Sequence, residues 1–314
     1  MANTYGKVSG TFEEIENAYG KVSGTWEEAD EIYAKVSGTW ELVFAAFTAT
    51  SYTTLSSGSG TFTVPDGANA IHIQASVGGG GGAMRGVDYD KAGGESAGAG
   101  GGSGGFVSDK IFSVTEGETI SYSIGSGGAN GTGTYSGSAG GGASTTIAGS
   151  GINIFTLTGG GGSSCSGGGV QGPVRSNTAG TAGSNTISGS VITSGNFRDS
   201  DGTTKAVTSN TSGPTNTFND SGNGAVGNIS GDVGRGPGNC NGDNCRIGGS
   251  TGAASFSGIV AGGAGGSSSG SGTSGSAGTR GSGGGGGSAQ VTGGSTQGGS
   301  GGVGETKYRF LRVN

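Results

Sequence analysis

Residues 61–82 read TFTVPDGANAIHIQASVGGGGG, two alternating β-segments that run into five consecutive glycines. Thr61–Val64 alternates, Pro65-Asp66-Gly67 supplies a turn, and Ala70–Val77 alternates again. The period of two predicts Ile71, Ile73, Ala75 and Val77 on one face, with His72, Gln74 and Ser76 on the other. A strand this well specified has no evident reason to continue into residues with no side chains to pack. Working out that junction decides the fold.

Glycine supplies 81 of the 314 residues, while 29% are hydrophobic and 11% charged, a composition that in isolation reads as low complexity. Four prolines and the lack of a sustained Gly-X-Y register exclude collagen. Further strand signals recur in FTATSYTTL, GFVSDKIFSVTEGETISYSIG, ASTTIAG, INIFTLT and the terminal KYRFLRVN. KIFSVTEGETISYSI is expected to form a hairpin about Glu116-Gly117. These strands suffice for an antiparallel sandwich, which the last strand closes after a long glycine-rich detour.

For the detour, flexible Gly/Ser linker competes with glycine runs in polyproline-II-like helices packed side by side. Ordering a residue costs roughly 1–2 kcal/mol and a net hydrogen bond returns roughly 0.5–1.5, so a lone glycine helix cannot persist. A bundle bonded on several sides approaches balance if its ends are fixed. Strands on both sides of the detour favour the bundle: the strand ends in glycines because the sheet clamps a glycine-helix layer.

Residues 1–46 contain a 14-residue repeat, YGKVSGTFEEIENA, YGKVSGTWEEADEI and YAKVSGTWELVFAA. The Ser-Gly pair in each copy predicts a turn between two β-arms, although the spacing after each aromatic also permits a helical turn. A unit this short cannot bury its own Phe12, Trp26 or Trp40, so neighbouring repeats or chains must cover it. Most of the net charge of −6 lies here, and no basic patch points to nucleic acid. No apolar run is long enough to span a membrane as a helix, and MANTYGKVSG lacks the regions of a secretory signal, so either export by another route or release by lysis is the expectation.

The all-β chain is therefore expected to divide into a repeat shaft (1–46), a sandwich framework (47–158), a polyglycine-helix region with projecting loops (159–302) and a closing strand (303–314). No catalytic constellation stands out and no enzyme activity is expected. His72 reads as a solvated strand residue, and DSDGTT at 199–204 resembles a calcium loop but lacks its final acidic ligand. No metal or other cofactor is called for. Cys240 and Cys245 in GNCNGDNCR are close enough to bridge a short loop, with free thiols as the competing reading. Polar islands between the glycine runs are the candidates for recognition. MRGVDYDK contributes Arg85 and Tyr89, GPVRSN contributes Arg175, and SGNFRDSDGTTK contributes Phe197, Arg198 and Asp201. TNTFNDSGN adds Phe218, Asn219 and Asp220, and GRGPGNCNGDNCRIG adds Arg235, Asn239, Asp243 and Arg246.

The KVSGTW repeats resemble short repeats in tail fibres and tail-tip proteins of tailed bacteriophages. The quoted stretch, followed by GGGSGGF at 100–106, resembles the glycine-rich domain at the ends of phage fibres. In that family a strand, a turn and a second strand lead into glycine runs, and a last short strand closes the domain. Here those parts are Thr61–Val64, Pro65–Gly67, Ala70–Val77, Gly78–Gly82 and Tyr308–Val313. The resemblance implies a virion tail-fibre adhesin, assembled in the host cytoplasm and trimeric, whose loops bind a bacterial surface glycan or protein. Its N-terminal repeats would meet other tail or baseplate proteins. The rival expectation is an extracellular structural or ice-binding glycine-rich protein.

Overall fold

The computed structural model describes residues 5–8, 11–14, 19–23, 25–28, 31–36, 38–45, 47–83, 98–132, 137–149, 152–166, 176–207, 221–222, 246–247, 274–285, 289–290 and 296–314. These residues are all-β, in antiparallel sheets, with no helix among them. The described residues of each N-terminal repeat form a β-hairpin: β1 (Tyr5–Val8) with β2 (Thr11–Glu14), β3 (Tyr19–Val22) with β4 (Thr25–Glu28), and β5 (Glu31–Val36) with β6 (Thr39–Ala45). The registers leave two residues between the paired strands of each hairpin, and the described ones, Ser23 at φ +49° and Gly38 at φ +93°, have the left-handed backbone such tight loops require. Every copy sets a lysine opposite an aromatic: Lys7 with Phe12, Lys21 with Trp26, Lys35 with Trp40. Trp40 is 66% exposed, so the hairpin indeed leaves its aromatic uncovered.

Two five-stranded sheets follow. The first contains β7 (Thr53–Leu55), β9 (Ala70–Val77), β10 (Phe106–Ser113), β20 (Ser221–Gly222) and β23 (Glu305–Leu311), in the order β20-β10-β9-β23-β7. The second contains β8 (Ser59–Thr63), β11 (Thr119–Ser123), β13 (Thr145–Gly149), β14 (Ile152–Leu157) and β17 (Asn185–Ile187), in the order β17-β14-β13-β11-β8. Ile71, Ile73 and Phe112 from the first sheet share one core with Ile120, Ile147, Phe155 and Leu157 from the second. Each large side chain in that core contributes about 2–3 kcal/mol by leaving water.

The expected hairpin about Glu116-Gly117 is not one. β10 and β11 belong to opposite sheets, so the turn carries the chain across the core. The Pro65–Gly67 turn does the same between β8 and β9. Both crossings use glycine in the left-handed region (Gly67 φ +83°, Gly117 φ +72°), and they bond to each other through Val64 N–H to Glu118 O and Gly117 N–H to Val64 O. Alternation says that each strand has an apolar face; it does not distinguish pairing beside a neighbour from facing it across a core.

The alternation within β9 is also interrupted. Lys307 and Tyr308, adjacent in β23, pair with Ala75 and Ile73, leaving Gln74 as the extra residue of a bulge. Side-chain parity reverses there. Ser76 bonds Thr306 in a fully buried contact, whereas Val77 leaves Ile71 and Ile73 to pack with Phe106 and Ala75.

Beyond the sheets the glycine segments hydrogen-bond through their backbones with a period of three. Gly78 and Gly81 donate to Gly105 and Gly102; Gly79 and Gly82 donate to Ala143 and Gly140; Gly80 and Ala83 donate to Gly302 and Gly299. In return, Gly160 and Ser163 donate to Gly79 and Gly82, Gly128 and Gly131 donate to Gly80 and Ala83, and Gly284 donates to Gly81. Segment 78–83 is thus bonded to six surrounding segments, the three-residue repeat expected of a polyproline-II backbone. A β-carbon on Gly79, Gly81 or Gly82 would lie 2.0 Å from a neighbour's carbonyl oxygen. Those oxygens therefore sit along the Cα–H direction, adding about 0.5–1 kcal/mol per contact to roughly 1 per hydrogen bond. Together these offset the roughly 1–2 kcal/mol of ordering each residue.

Most segments continue a strand directly: 78–83 follows β9, 98–105 enters β10, 139–144 enters β13, 158–163 follows β14, 179–184 enters β17 and 297–304 enters β23. Segment 124–131 follows β11. Residues 274–279 reverse at Arg280-Gly281 (φ +44° and +72°) into 282–285. The described ends of the connections between outgoing and returning segments therefore lie at the end of the lattice away from the sheets. Short pairings form in them: β12 (Gly137–Ser138), β15 (Ser164–Ser166) and β16 (Ser176–Thr178) make one sheet, and β21 (Arg246–Ile247) pairs with β22 (Ala289–Gln290). A last hairpin, β18 (Asn196–Arg198) with β19 (Thr204–Ala206), folds back towards the first sheet.

Two glycine-to-alanine variants test the lattice. Gly81→Ala puts a methyl 2.0 Å from the Gly161 carbonyl oxygen and is expected to cost more than about 3 kcal/mol, comparable with severe core overpacking. At Gly141 the nearest atom to a β-carbon is 3.5 Å away, and Gly141→Ala is expected to be neutral or stabilising by up to about 1 kcal/mol. Denaturant unfolding of the two variants measures the difference.

Candidate recognition site

Three neighbouring strands of the first sheet bring polar side chains together on the face away from the main core. Ile111 of β10, His72 of β9 and Arg309 of β23 are direct cross-strand partners. His72 is 7% exposed, not solvated as the alternation suggested, because the segment carrying β18 and β19 covers this face. Phe197 and Val207 from that segment pack against Ala70, Ile111 and Leu311 in a second, smaller core. Backbone bonds fix the cover: Ile192 N–H donates to Ile111 O, and Ala49 N–H donates to Arg198 O.

Arg309 is the centre of this arrangement. Its Nη1 donates to Asp199 Oδ1 at 2.5 Å, and its guanidinium carbon lies 4.6 Å from the Tyr52 ring centroid and 5.5 Å from that of Phe197. A delocalised, weakly hydrated cation suits a buried place between aromatic rings and a carboxylate. Lys205 also donates to Asp199. That hydrogen bond, reinforced by the Ser200 N–H and by Arg309, holds the Asp199 carboxyl far below the usual carboxylate range despite its burial. The same contact pushes Lys205 up, while burial pushes the Tyr52 hydroxyl up.

His72 links this centre to the neighbouring strand. Arg309 Nε can only donate, so His72 Nδ1, at 3.4 Å, accepts from it and from the Tyr52 hydroxyl at 3.1 Å. Nε2 then carries the hydrogen given to Asp109 Oδ1 at 2.5 Å. Asp109 itself stands at φ +50°, unusual for a residue within a strand and opposite the β9 bulge. Beside it opens a cleft of about 200 Å³, bounded by Asp109, Lys110 and Ile111 on one side and by Val191, Ile192, Phe197 and Lys205 on the other.

The sequence-derived recognition residues separate into groups. Phe197 is buried beneath the cover, Arg198 is half-buried, and Asp201 is exposed at the β18–β19 turn, where its carboxylate accepts from the Thr203 N–H and hydroxyl. Those Thr203 bonds hold the Asp201 carboxyl below its ordinary value. Arg85, Tyr89, Arg175, Phe218, Asn219, Asp220, Arg235, Asn239, Asp243, Cys240 and Cys245 lie outside the described residues, and Arg246 is described only as a β21 backbone position. Arg85, Tyr89 and Arg175 fall in connections whose described ends emerge from the far end of the lattice. Sequence reasoning missed Tyr52, His72, Asp109, Lys205 and Arg309. The available signal was an arginine set between Tyr308 and Phe310 in β23, a charge flanked by large aromatics, which implies a covered outer face.

Residues 53–311 match the glycine-rich domain family, and the chain belongs to it. No curated protein matches the sequence.

Asp199 makes the outer cover pH-dependent. With its folded pKa depressed, its contribution to stability is present above the unfolded carboxylate value of about 3.9 and is lost as pH falls through the folded value. Asp199→Asn is expected to lower the thermal midpoint at pH 7, with the gap to wild type closing only in strongly acid solution. Arg309→Ala, which leaves Asp199 without its buried partner, is expected to cost about 3 kcal/mol at pH 7. Thermal and urea unfolding across pH 2–8 measures both.

Proposed function

We propose that the chain is a receptor-binding tail-fibre protein of a tailed bacteriophage, attaching the virion to its bacterial host by non-covalent contacts through loops on a glycine-rich head. The head is read as a β-sandwich continued by a polyglycine-helix bundle. The observation that carries this reading is that the described ends of the connections bearing Arg85, Tyr89 and Arg175 lie at one end of a lattice that excludes side chains at its crowded positions. Recognition loops gain most from a scaffold that cannot deform beneath them. The N-terminal hairpins, each with its Lys–aromatic pair, serve as the shaft through which the chain forms a homotrimer and meets other tail proteins. Three copies held together turn weak single-site contacts into firm attachment.

The full chain is expected to bind intact host bacteria and to compete with virion adsorption. Joint substitution of Arg85 and Tyr89, or of Arg235 and Arg246, by alanine is expected to weaken cell binding at least about tenfold, as loss of anchor side chains does. The thermal midpoint of these variants is expected to stay that of wild type. Cell binding unaffected by either pair would contradict a role for those connections. Antibody labelling confined to cell surfaces, with virion tails bare, would instead favour an extracellular structural protein.

A further inference from the structure

The cleft beside Asp109 is a second place where a ligand fits, apart from the lattice-end connections. In a regular strand Asp109 and Lys110 would project to opposite faces. The register places Ile111 with His72 on the covered outer face and Lys110 with Ile73 on the other, and the left-handed backbone at Asp109 accompanies its turn to His72; all three residues border the cleft. Non-glycine residues in this backbone region, next to a bulge, are characteristic of strands reshaped to aim side chains at a site. The groups so aimed are chemically mixed. Asp109 Oδ1 is bonded to His72, whereas Oδ2 has no partner among the described residues. The Lys110 ammonium has no carboxylate within 4.0 Å among them, its neighbour Asp109 included. Opposite these stand the apolar side chains of Val191, Ile192 and Val207.

We propose that this cleft binds a single pyranose ring bearing a carboxylate, a hexuronic acid residue of a surface polysaccharide. The volume of about 200 Å³ is below that of drug-sized sites, which suits one ring. A pyranose presents what the walls demand: hydroxyls to donate to Asp109 Oδ2, a C–H face for the valine and isoleucine side, and a carboxylate for Lys110. Asp109, held by His72 and through it by Tyr52 and Arg309, is fixed before the sugar arrives. The biological meaning of this site rests on the attachment role above; the binding itself does not.

The test titrates methyl glucuronide and methyl glucoside separately into the full chain, read by ligand-observed saturation-transfer NMR. The glucuronide is expected to saturate near about 1 mM, with the neutral glucoside at least about fivefold weaker. Lys110→Ala should reduce the glucuronide to the level of the glucoside. Asp109→Asn, whose side chain tolerates the same left-handed backbone, should weaken both sugars while leaving the thermal midpoint unchanged. Absence of saturable binding by either sugar up to about 50 mM, or affinity unchanged in Lys110→Ala, would overturn the assignment. Host-cell binding by the chain that persists alongside such a result would leave the attachment role standing and remove only this site.

Discussion

At Gly79, Gly81 and Gly82 a neighbour's carbonyl oxygen lies 2.0 Å from where a β-carbon would stand, and the architecture depends on keeping those positions empty. Close approach is what lets each peptide group of segment 78–83 reach a different neighbour in turn, around all sides of the backbone. Collagen uses the same absence of a side chain at a crowded axis, but for one residue in three; here consecutive residues are all crowded. Small residues are admitted where space or a partner exists, as at Ser163, whose hydroxyl donates to Ala99 O.

The sheets supply what the glycines lack, which is register. Strands adjacent in a sheet become adjacent segments in the lattice: β9 beside β10 and β23 leads to 78–83 beside 98–105 and 297–304, and β14 beside β13 and β17 leads to 158–163 beside 139–144 and 179–184. Across the core, sheets normally stand about 10 Å apart because side chains separate them. Once side chains shrink to hydrogen the two layers bond directly, as Gly79 to Ala143 and Gly160 to Gly79 show. The closing strand β23 lies between β9 and β7, so the far end of the sequence completes both the sheet and the lattice.

Much of this was legible in the sequence, for identifiable reasons. The strand Ala70–Val77, the Ser-Gly hairpin loops and the clamp logic of the glycine junction follow from periodicity and from the energetics of ordering glycine. Whether β10 paired with or faced β11 was not legible, because both arrangements bury the same apolar faces. Nor was the Gln74 bulge, which arises from the mismatch between β9 and β23, segments more than 200 residues apart. The outer cluster around Arg309 escaped for a related reason: its members come from positions 52, 72, 109, 199, 205 and 309, with no local motif. SGNFRDSDGTTK stands out in the sequence as a polar island, yet Phe197 and Asp199 turn inward to hold a cover in place.

The sheets clamp the glycine lattice, whose segment 78–83 is bonded to neighbours on all sides. The direct measurement is amide hydrogen exchange of Gly78–Gly82 compared with Ile71 and Ile73 of β9, in the full chain. A lattice clamped by the sheets predicts that both sets exchange only through the same global opening, with equal free energies. Glycine amides that exchange in seconds while those of β9 remain protected would contradict the account.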